Sequence, residues 1–286
     1  MPAMYLRIAT CHPQPEVDPD EELLLDELRR LRVYARMAAW NDPTENWDEK
    51  EPTLLRSTWD YIHNVNAFRV WVSRVERTAP LWNPKRVIKT NLHKSYLFAL
   101  ESRGVAIVPT ELVVAGSARP LEQVLLARGW SDVVVKPAVG AGSFATRRFR
   151  ANELAAGAEF LGAQIAERDM LVQPFLDSVD DEGERALVWI DGEFTHAVRK
   201  TPRFDGQAES VSEALAVSSE ERALGDAALN WCANDLLYAR VDVARGANGK
   251  LCVMELELIE PSLFLKQNPR ALTRLAEAIV SRLDGR

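Results

Sequence analysis

Cysteine is scarce in this chain: Cys11, Cys232 and Cys252 are the only three in 286 residues. An odd number with no Cys-x-x-Cys spacing excludes a disulfide framework, and the four histidines, His12, His63, His93 and His196, add no zinc-type pairing to them. Long apolar runs are missing as well. None approaches the ~18 residues that cross a bilayer, and the opening Met1–Arg7 has no apolar stretch of signal-peptide length. A cytoplasmic protein with no membrane partner is expected. Basic charge is not in excess either: 35 Lys+Arg stand against 42 Asp+Glu, a net charge of -7. The chain lacks the electrostatic footprint that a phosphodiester backbone requires, so nucleic acid is not an expected partner. Internal repeats and low-complexity segments are also missing.

What is present is ordinary globular material, 47% apolar and 27% charged, long enough for two or three subdomains. Tyr5–Thr10 reads as a strand, Asp20–Arg32 as a helix and Tyr34–Trp40 as a second strand, which implies a parallel unit. Thr53–Thr58 reads as a third strand, followed by a helix over about Ala67–Arg77. A helix over about Arg86–Arg103 ends at Gly104, and Ile107–Thr110 begins a new strand. Beyond it come a helix (Pro120–Arg128), a strand (Val133–Lys136), a Gly-rich turn, a strand (Phe144–Arg150), a helix (Glu153–Glu167) and a strand (Met170–Gln173). Strands Arg185–Ile190 and Phe194–Arg199 flank the turn Asp191-Gly192-Glu193. Helices over about Glu220–Asn234 and Pro269–Leu283 complete the chain. The fold class is α/β (α+β), with an N-terminal unit at 1–85 and a second region at 86–286 that divides into 86–175 and 176–286.

The densest chemical signal lies near the end. Tyr238–Val243 and Leu251–Leu258 are strand-like runs joined through Asn248-Gly249, a strong hairpin signal. With Asn248 and Gly249 as the turn residues, Asp242 faces Glu255, and Glu257 shares that face two residues along. Three carboxylates crowded on one patch are expected to hold a cation or to raise a carboxylate pKa. Hard oxygen ligands with room for water and phosphate favour Mg²⁺, with Mn²⁺ as a substitute. Arg240 is expected on the opposite face of a regular strand.

A second signal is Val133-Val134-Val135-Lys136-Pro137-Ala138-Val139-Gly140-Ala141-Gly142-Ser143, a lysine at a strand end before a small-residue loop. Backbone N–H groups and an ammonium placed this way suit a phosphate. It is not a P-loop, and because a strand follows Gly142 it is not a Rossmann fingerprint. Lys94, Lys136, Val172–Leu176, Arg240-Val241-Asp242 and Glu255-Leu256-Glu257, in that order, resemble the ATP-grasp superfamily over nearly the whole chain. Within it, Leu55–Tyr61, Leu81–Pro84, Asn91–Lys94 with Tyr96-Leu97, and Glu255–Ser262 resemble the branch that contains the O-ureido-D-serine cyclo-ligase of D-cycloserine biosynthesis.

The resemblance implies an ATP-grasp fold behind an N-terminal parallel α/β unit, with ATP and Mg²⁺ as cofactors. It implies that Lys94, on a helix, and Lys136 contact phosphates under the loop of Gly140, Gly142 and Ser143, and that Gln173, Phe175 and Leu176 present the adenine wall. It assigns metal to Asp242, Glu255 and Glu257, and chemistry at the acyl phosphate to Arg240, Arg199 and Arg185, with Lys200 beside them. Substrate contacts fall on Arg56, Ser57, Thr58 and Asp60, whose segment suits a small zwitterion, and on Glu260. The Gly-Gly segment of many ATP-grasp ligases is replaced here by Thr201–Gln207, which is compatible with a changed acceptor. The implied activity is that of a carboxylate–amine ligase acting through an acyl phosphate on a small amino-acid-like molecule, as an intramolecular cyclo-ligase. An intermolecular amino-acid or peptide ligase and a non-catalytic ATP-binding scaffold are the alternatives, and homo-oligomerisation is left open.

Overall fold

Alternation of strand and helix in the first eighty residues builds a parallel sheet. Its strands are β1 (Met4–Thr10), β2 (Val33–Ala39), β3 (Thr53–Leu55) and β4 (Leu81–Trp82), in the order β2-β1-β3-β4. The computed structural model describes residues 3–201 and 210–285. Helix α1 (Glu21–Arg30) buries Leu24 and Leu28, one helical turn apart, against this sheet. Helix α2 (Val65–Thr78) buries Phe68, Trp71, Val72 and Val75. The third strand stops at Leu55, three residues short of expectation, and Trp59–His63 forms a 3₁₀ turn.

The single helix expected over Arg86–Arg103 is two: α3 (Lys85–Asn91) and α4 (Tyr96–Ser102). Lys94 therefore sits in a turn and not on a helix. Its N–H, which a continuous helix would direct at residue 90, instead donates to the Ala138 carbonyl at 2.7 Å. Asn91 fastens the same corner to the hairpin, with Nδ2 donating to the Leu256 carbonyl and Oδ1 accepting from the Leu258 N–H, each at 3.0 Å.

A second sheet, antiparallel, has the order β5-β8-β6-β7, from β5 (Glu111–Val113), β6 (Val133–Pro137), β7 (Arg147–Phe149) and β8 (Met170–Pro174). Helices α5 (Leu121–Arg128) and α6 (Leu154–Ile165) close its core over Val133, Val135, Met170 and Val172. The strand expected at Ile107–Thr110 divides: Ile107 bridges to Val253, and β5 starts later. Short α7 (Asp177–Asp181) leads to the third sheet.

That sheet is antiparallel, in the order β10-β9-β11-β12, from β9 (Glu184–Ile190), β10 (Glu193–Lys200), β11 (Tyr238–Arg245) and β12 (Leu251–Glu257). One face packs on α8 (Ser219–Leu229) and on α3 and α4; the other packs on β1, α1 and α9 (Pro269–Leu283). With both faces covered, Tyr238–Ala244 is buried throughout. Asp242 does face Glu255, but by a different route from a two-residue turn. The loop is longer, with the Gly246 N–H donating to the Lys250 carbonyl at 2.9 Å, so that Arg245 pairs with Leu251. A bulge at Met254 then restores the register. The three cysteines are buried free thiols. Among the described residues no helix is long and apolar enough to cross a membrane.

Candidate active site

The three sheets meet at one cavity of about 750 Å³. The β11–β12 hairpin supplies its floor. Strand alternation puts Arg240, Asp242, Glu255 and Glu257 on the cavity face together, because residues two apart share a face. The expectation that Arg240 points away from Asp242 is thereby corrected: Nε donates to Asp242 Oδ1 at 2.9 Å and Nη2 to Oδ2 at 3.0 Å. The same guanidinium pairs with Glu257. Burial alone pushes the Asp242 carboxyl up, but Arg240 and Lys200 outweigh it and hold it below the usual carboxylate range. Glu257 moves the other way, raised chiefly by burial and further by Asp242, against the pull of Arg240.

Lys94 and Lys136 arrive from opposite sides at Glu255. Lys94 is ion-paired with it and also donates to the Gly140 carbonyl at 3.0 Å; Lys136 Nζ lies 3.6 Å from Glu255 Oε2. Burial pushes Glu255 up, yet the two lysines bring it down. The Gly-rich loop lines the cavity from Gly140 to Phe144 and curls tightly, with positive φ at Gly142, Ser143 and Ala145. Those turns delay β7 to Arg147. Gln173, Phe175 and Leu176 line the far wall. The Phe175 N–H already donates to the Asp132 carbonyl at 2.8 Å, and its ring lies under the Arg148 guanidinium, 3.3 Å from Cζ to the ring centroid.

Five expected residues are not on the cavity. Arg185 and Arg199 face each other across β9 and β10 on the opposite side of the sheet, where Arg185 binds Glu221 at 2.9 Å. Their neighbours Glu184 and Lys200 occupy the positions that face the site. Lys200 Nζ donates to Asp242 Oδ2 at 2.6 Å and lies 3.2 Å from Glu184 Oε1. Burial raises the Glu184 carboxyl to about 7, although Lys200 draws it down. One signal could have found them: β9 and β10 pair Lys200 with Glu184 and leave Arg199 opposite a like charge. Arg56, Ser57 and Thr58 are buried and away from the cavity. Arg56 donates to Asp18 Oδ2 at 3.1 Å and to the Pro261 carbonyl at 2.9 Å, while Ser57 meets Thr10 at 2.8 Å. Asp60 and Glu260 do line the site, with Asp60 held by Trp40 and Asn41. Glu260 is raised to about 8 by burial first and Glu257 second. Most of Thr201–Gln207, namely 202–207, lies outside the described residues.

For a divalent cation the donor chemistry fits: Asp242, Glu255 and Glu257 are hard oxygen donors on one face of one hairpin. Their arrangement differs from three carboxylates crowded on one another, because each is held by a lysine or arginine. Among the described residues, no three His, Cys, Asp or Glu stand close enough to grip an ion together. The pairs must exchange partners before a metal is held, and an incoming polyanion is the natural competitor for the cations.

The chain is similar to known proteins over nearly its whole length. Residues 6–83 match the family model of the D-cycloserine synthetase DcsG N-terminal domain. The cycloserine biosynthesis protein DcsG of Streptomyces lavendulae is 30% identical over 283 residues, 93% of this chain and 95% of that one. A crystal structure of D-cycloserine synthetase DcsG superposes with a TM-score of 0.89 at 29% identity, covering 98% and 99% of the two chains. The ATP-grasp ligase PsnB, solved with its minimal precursor, Mg and ADP, shares the fold at a TM-score of 0.64 and 17% identity over 98% of each chain. With likeness at this level running from end to end, the chain belongs to the D-cycloserine synthetase DcsG family and is an ATP-dependent ligase of ATP-grasp fold.

Proposed function

We propose that the cavity binds ATP with Mg²⁺ and phosphorylates the carboxylate of a small amino-acid-like substrate, and that a nitrogen of the same molecule then displaces phosphate to close a ring. One observation carries this reading: Lys94, Lys136, Lys200 and Arg240 converge with Asp242, Glu255 and Glu257 in a single cavity. Fixed cations of this kind stabilise the charge that spreads over a transferring phosphoryl group. Lys94 and Lys136 take the phosphates, with the loop of Gly140, Gly142 and Ser143 above them. Lys200 assumes the part expected of Arg185 and Arg199, and Arg240 reaches the acyl phosphate. Gln173, the Phe175 ring and the Leu176 main chain form the adenine wall. Held by Asp242, Glu255 and Glu257, Mg²⁺ would neutralise the phosphate oxygens, and Mn²⁺ is expected to serve in its place. Ring closure gains from proximity, since nucleophile and acyl group belong to one molecule. In domain terms we take 1–85 as the N-terminal unit and 86–175 and 176–286 as the two halves of the ATP-binding region. The similarity to the cycloserine enzyme supports the cyclisation, and the PsnB complex supports Mg²⁺ and a nucleotide.

The test is an ADP-release screen over free amino acids and O-ureidoserine with Mg²⁺, followed by product mass. Release that requires the carboxylic acid, with a cyclic product, is the expected result. A product that joins two molecules replaces cyclisation by intermolecular coupling. ADP release indifferent to every acid overturns the ligase reading.

A further inference from the structure

Beyond Glu257 the chain leaves β12 without becoming a loose loop. Asn83 Nδ2 donates to the Leu258 carbonyl at 2.9 Å and the Tyr238 hydroxyl to that of Ile259 at 2.8 Å. Trp59 Nε1 donates to the Glu260 carbonyl at 3.0 Å, Arg56 Nη1 to Pro261 at 2.9 Å and Arg240 Nη1 to Ser262 at 3.1 Å. Each carbonyl from 258 to 262 thus receives a side-chain donor. An exposed loop would leave those groups to water. Holding all of them fixes the backbone and, with it, the direction of the Glu260 side chain. That side chain lines the cavity beside Tyr61, whose hydroxyl draws the Glu260 carboxyl down against burial and Glu257. Arg56, Trp59 and Tyr61, all from the Leu55–Tyr61 string, meet at this one short segment.

Charge is divided across the cavity. Among the described residues, the lysines and arginines that line it are Lys94, Lys136, Lys200 and Arg240, whereas the wall built from residues before 91 contributes Glu16 and Asp60 and no Lys or Arg. Asp242, Glu255 and Glu257 each have a cationic partner. Glu260 forms no ion pair among the described residues. A carboxyl aimed from a rigid segment, without an internal cation and beside an acidic wall, holds its proton in the empty cavity and gives it up when a positive group on a ligand comes within hydrogen-bond distance, the group it then complements.

We infer that Glu260 receives the ammonium group of the substrate, turns its carboxylate toward Arg240 and Lys200, and so selects a free amino acid over an N-blocked one. Arg56 and Trp59 are positioning residues that act through Glu260. The inference rests on the ligase reading above and adds the substrate class to it.

The experiment compares the wild-type chain with Glu260→Gln, using O-ureido-D-serine and its N-acetyl derivative in the ADP-release assay and in direct titration with AMPPNP and Mg²⁺ present. Losing a charge-assisted contact should weaken the free amine ~10- to 100-fold, mainly in KM, with the KM for ATP within about twofold. Trp59→Phe, which removes the N–H to the Glu260 carbonyl together with part of the indole ring, should raise the KM for the amine several-fold and leave kcat near normal. A free-amine preference that survives Glu260→Gln overturns the inference, and so does an equal loss for ATP. Amine binding that Glu260→Gln abolishes supports it even where no ADP is released, an outcome that refutes only the ligase reading. Failure of the wild-type chain to bind the free amine overturns it as well.

Discussion

Replacing Glu255 by Gln keeps the side chain's size and removes the charge that Lys94 and Lys136 share. Lys94 is in direct ion-pair contact and Lys136 is 3.6 Å away, each with a side chain 10% exposed. Two unit charges about 4 Å apart interact by about 4 kcal/mol at an effective dielectric of 20, and removing one partner of a buried pair costs about 3–5 kcal/mol. Because the Glu255 side chain is itself 23% exposed, the lower end applies. We expect about 3 kcal/mol of stability to be lost in the absence of nucleotide, read by urea denaturation at neutral pH. The two ammonium groups then lack a carboxylate partner, Lys94 keeping only the Gly140 carbonyl, so ATP in EDTA should bind roughly tenfold tighter than to the wild-type chain, in a calorimetric titration. Turnover with Mg²⁺ should nevertheless fall at least ~100-fold, the scale of losing a catalytic electrostatic contact. Tighter metal-free ATP with collapsed turnover is the signature of a carboxylate that yields its lysines to phosphate and takes up metal. Normal Mg²⁺-dependent turnover would refute the reasoning, as would metal-free ATP binding weakened in step with turnover.

Other variants address the remaining groups. Lys136→Ala should raise the KM for ATP and lower kcat together; an unchanged nucleotide profile would make it a structural partner of Glu255 only. Lys200→Met should lower kcat at least ~100-fold while Arg199→Met changes it less than about threefold, and equal effects would contradict the strand parity seen here. Arg56→Ala strands Asp18 and Asp20, so a loss of about 3–5 kcal/mol is expected in denaturation, with near-normal ATP affinity in whatever folds; a neutral effect would show that the buried pair is dispensable. The carboxyls of Glu184 and Glu260 are raised from 4.5 to about 7 and about 8, chiefly by burial. The folded chain then keeps protons that the unfolded chain has released. The stability they supply is complete below about pH 4.5 and is lost as pH rises through about 7 and then about 8. The unfolding free energy of Glu260→Gln should fall less steeply between pH 5 and 9 than that of the wild-type chain, by several kcal/mol at about 1.4 kcal/mol per pKa unit, and parallel profiles would refute a raised Glu260 carboxyl.

Local chemistry was enough to read most of the elements. An Asn-Gly pair between apolar runs specifies a hairpin, and the glycine-bounded strand of Val133–Lys136 specifies a lysine at the mouth of a loop. The pairing of Asp242 with Glu255 was legible too, though its route through a longer loop and a bulge at Met254 was not, because an extra residue in the turn and one in the strand cancel. The hairpin pairing of Glu184 with Lys200 was within local reading, but which face of β9 and β10 meets the cleft was not. A strand covered on both faces has buried apolar residues at odd and even positions alike, so nothing in Arg185–Ile190 says whether Glu184 or Arg185 faces the cleft. The break at Lys94 depends on the Ala138 carbonyl, and the burial of Arg56 depends on Asp18 and the Pro261 carbonyl, partners far away along the chain. Sequence determined which residues could do chemistry. Tertiary structure decided which of them share a cavity, since a charged side chain serves a site or a core according to what the rest of the chain brings within hydrogen-bond distance of it.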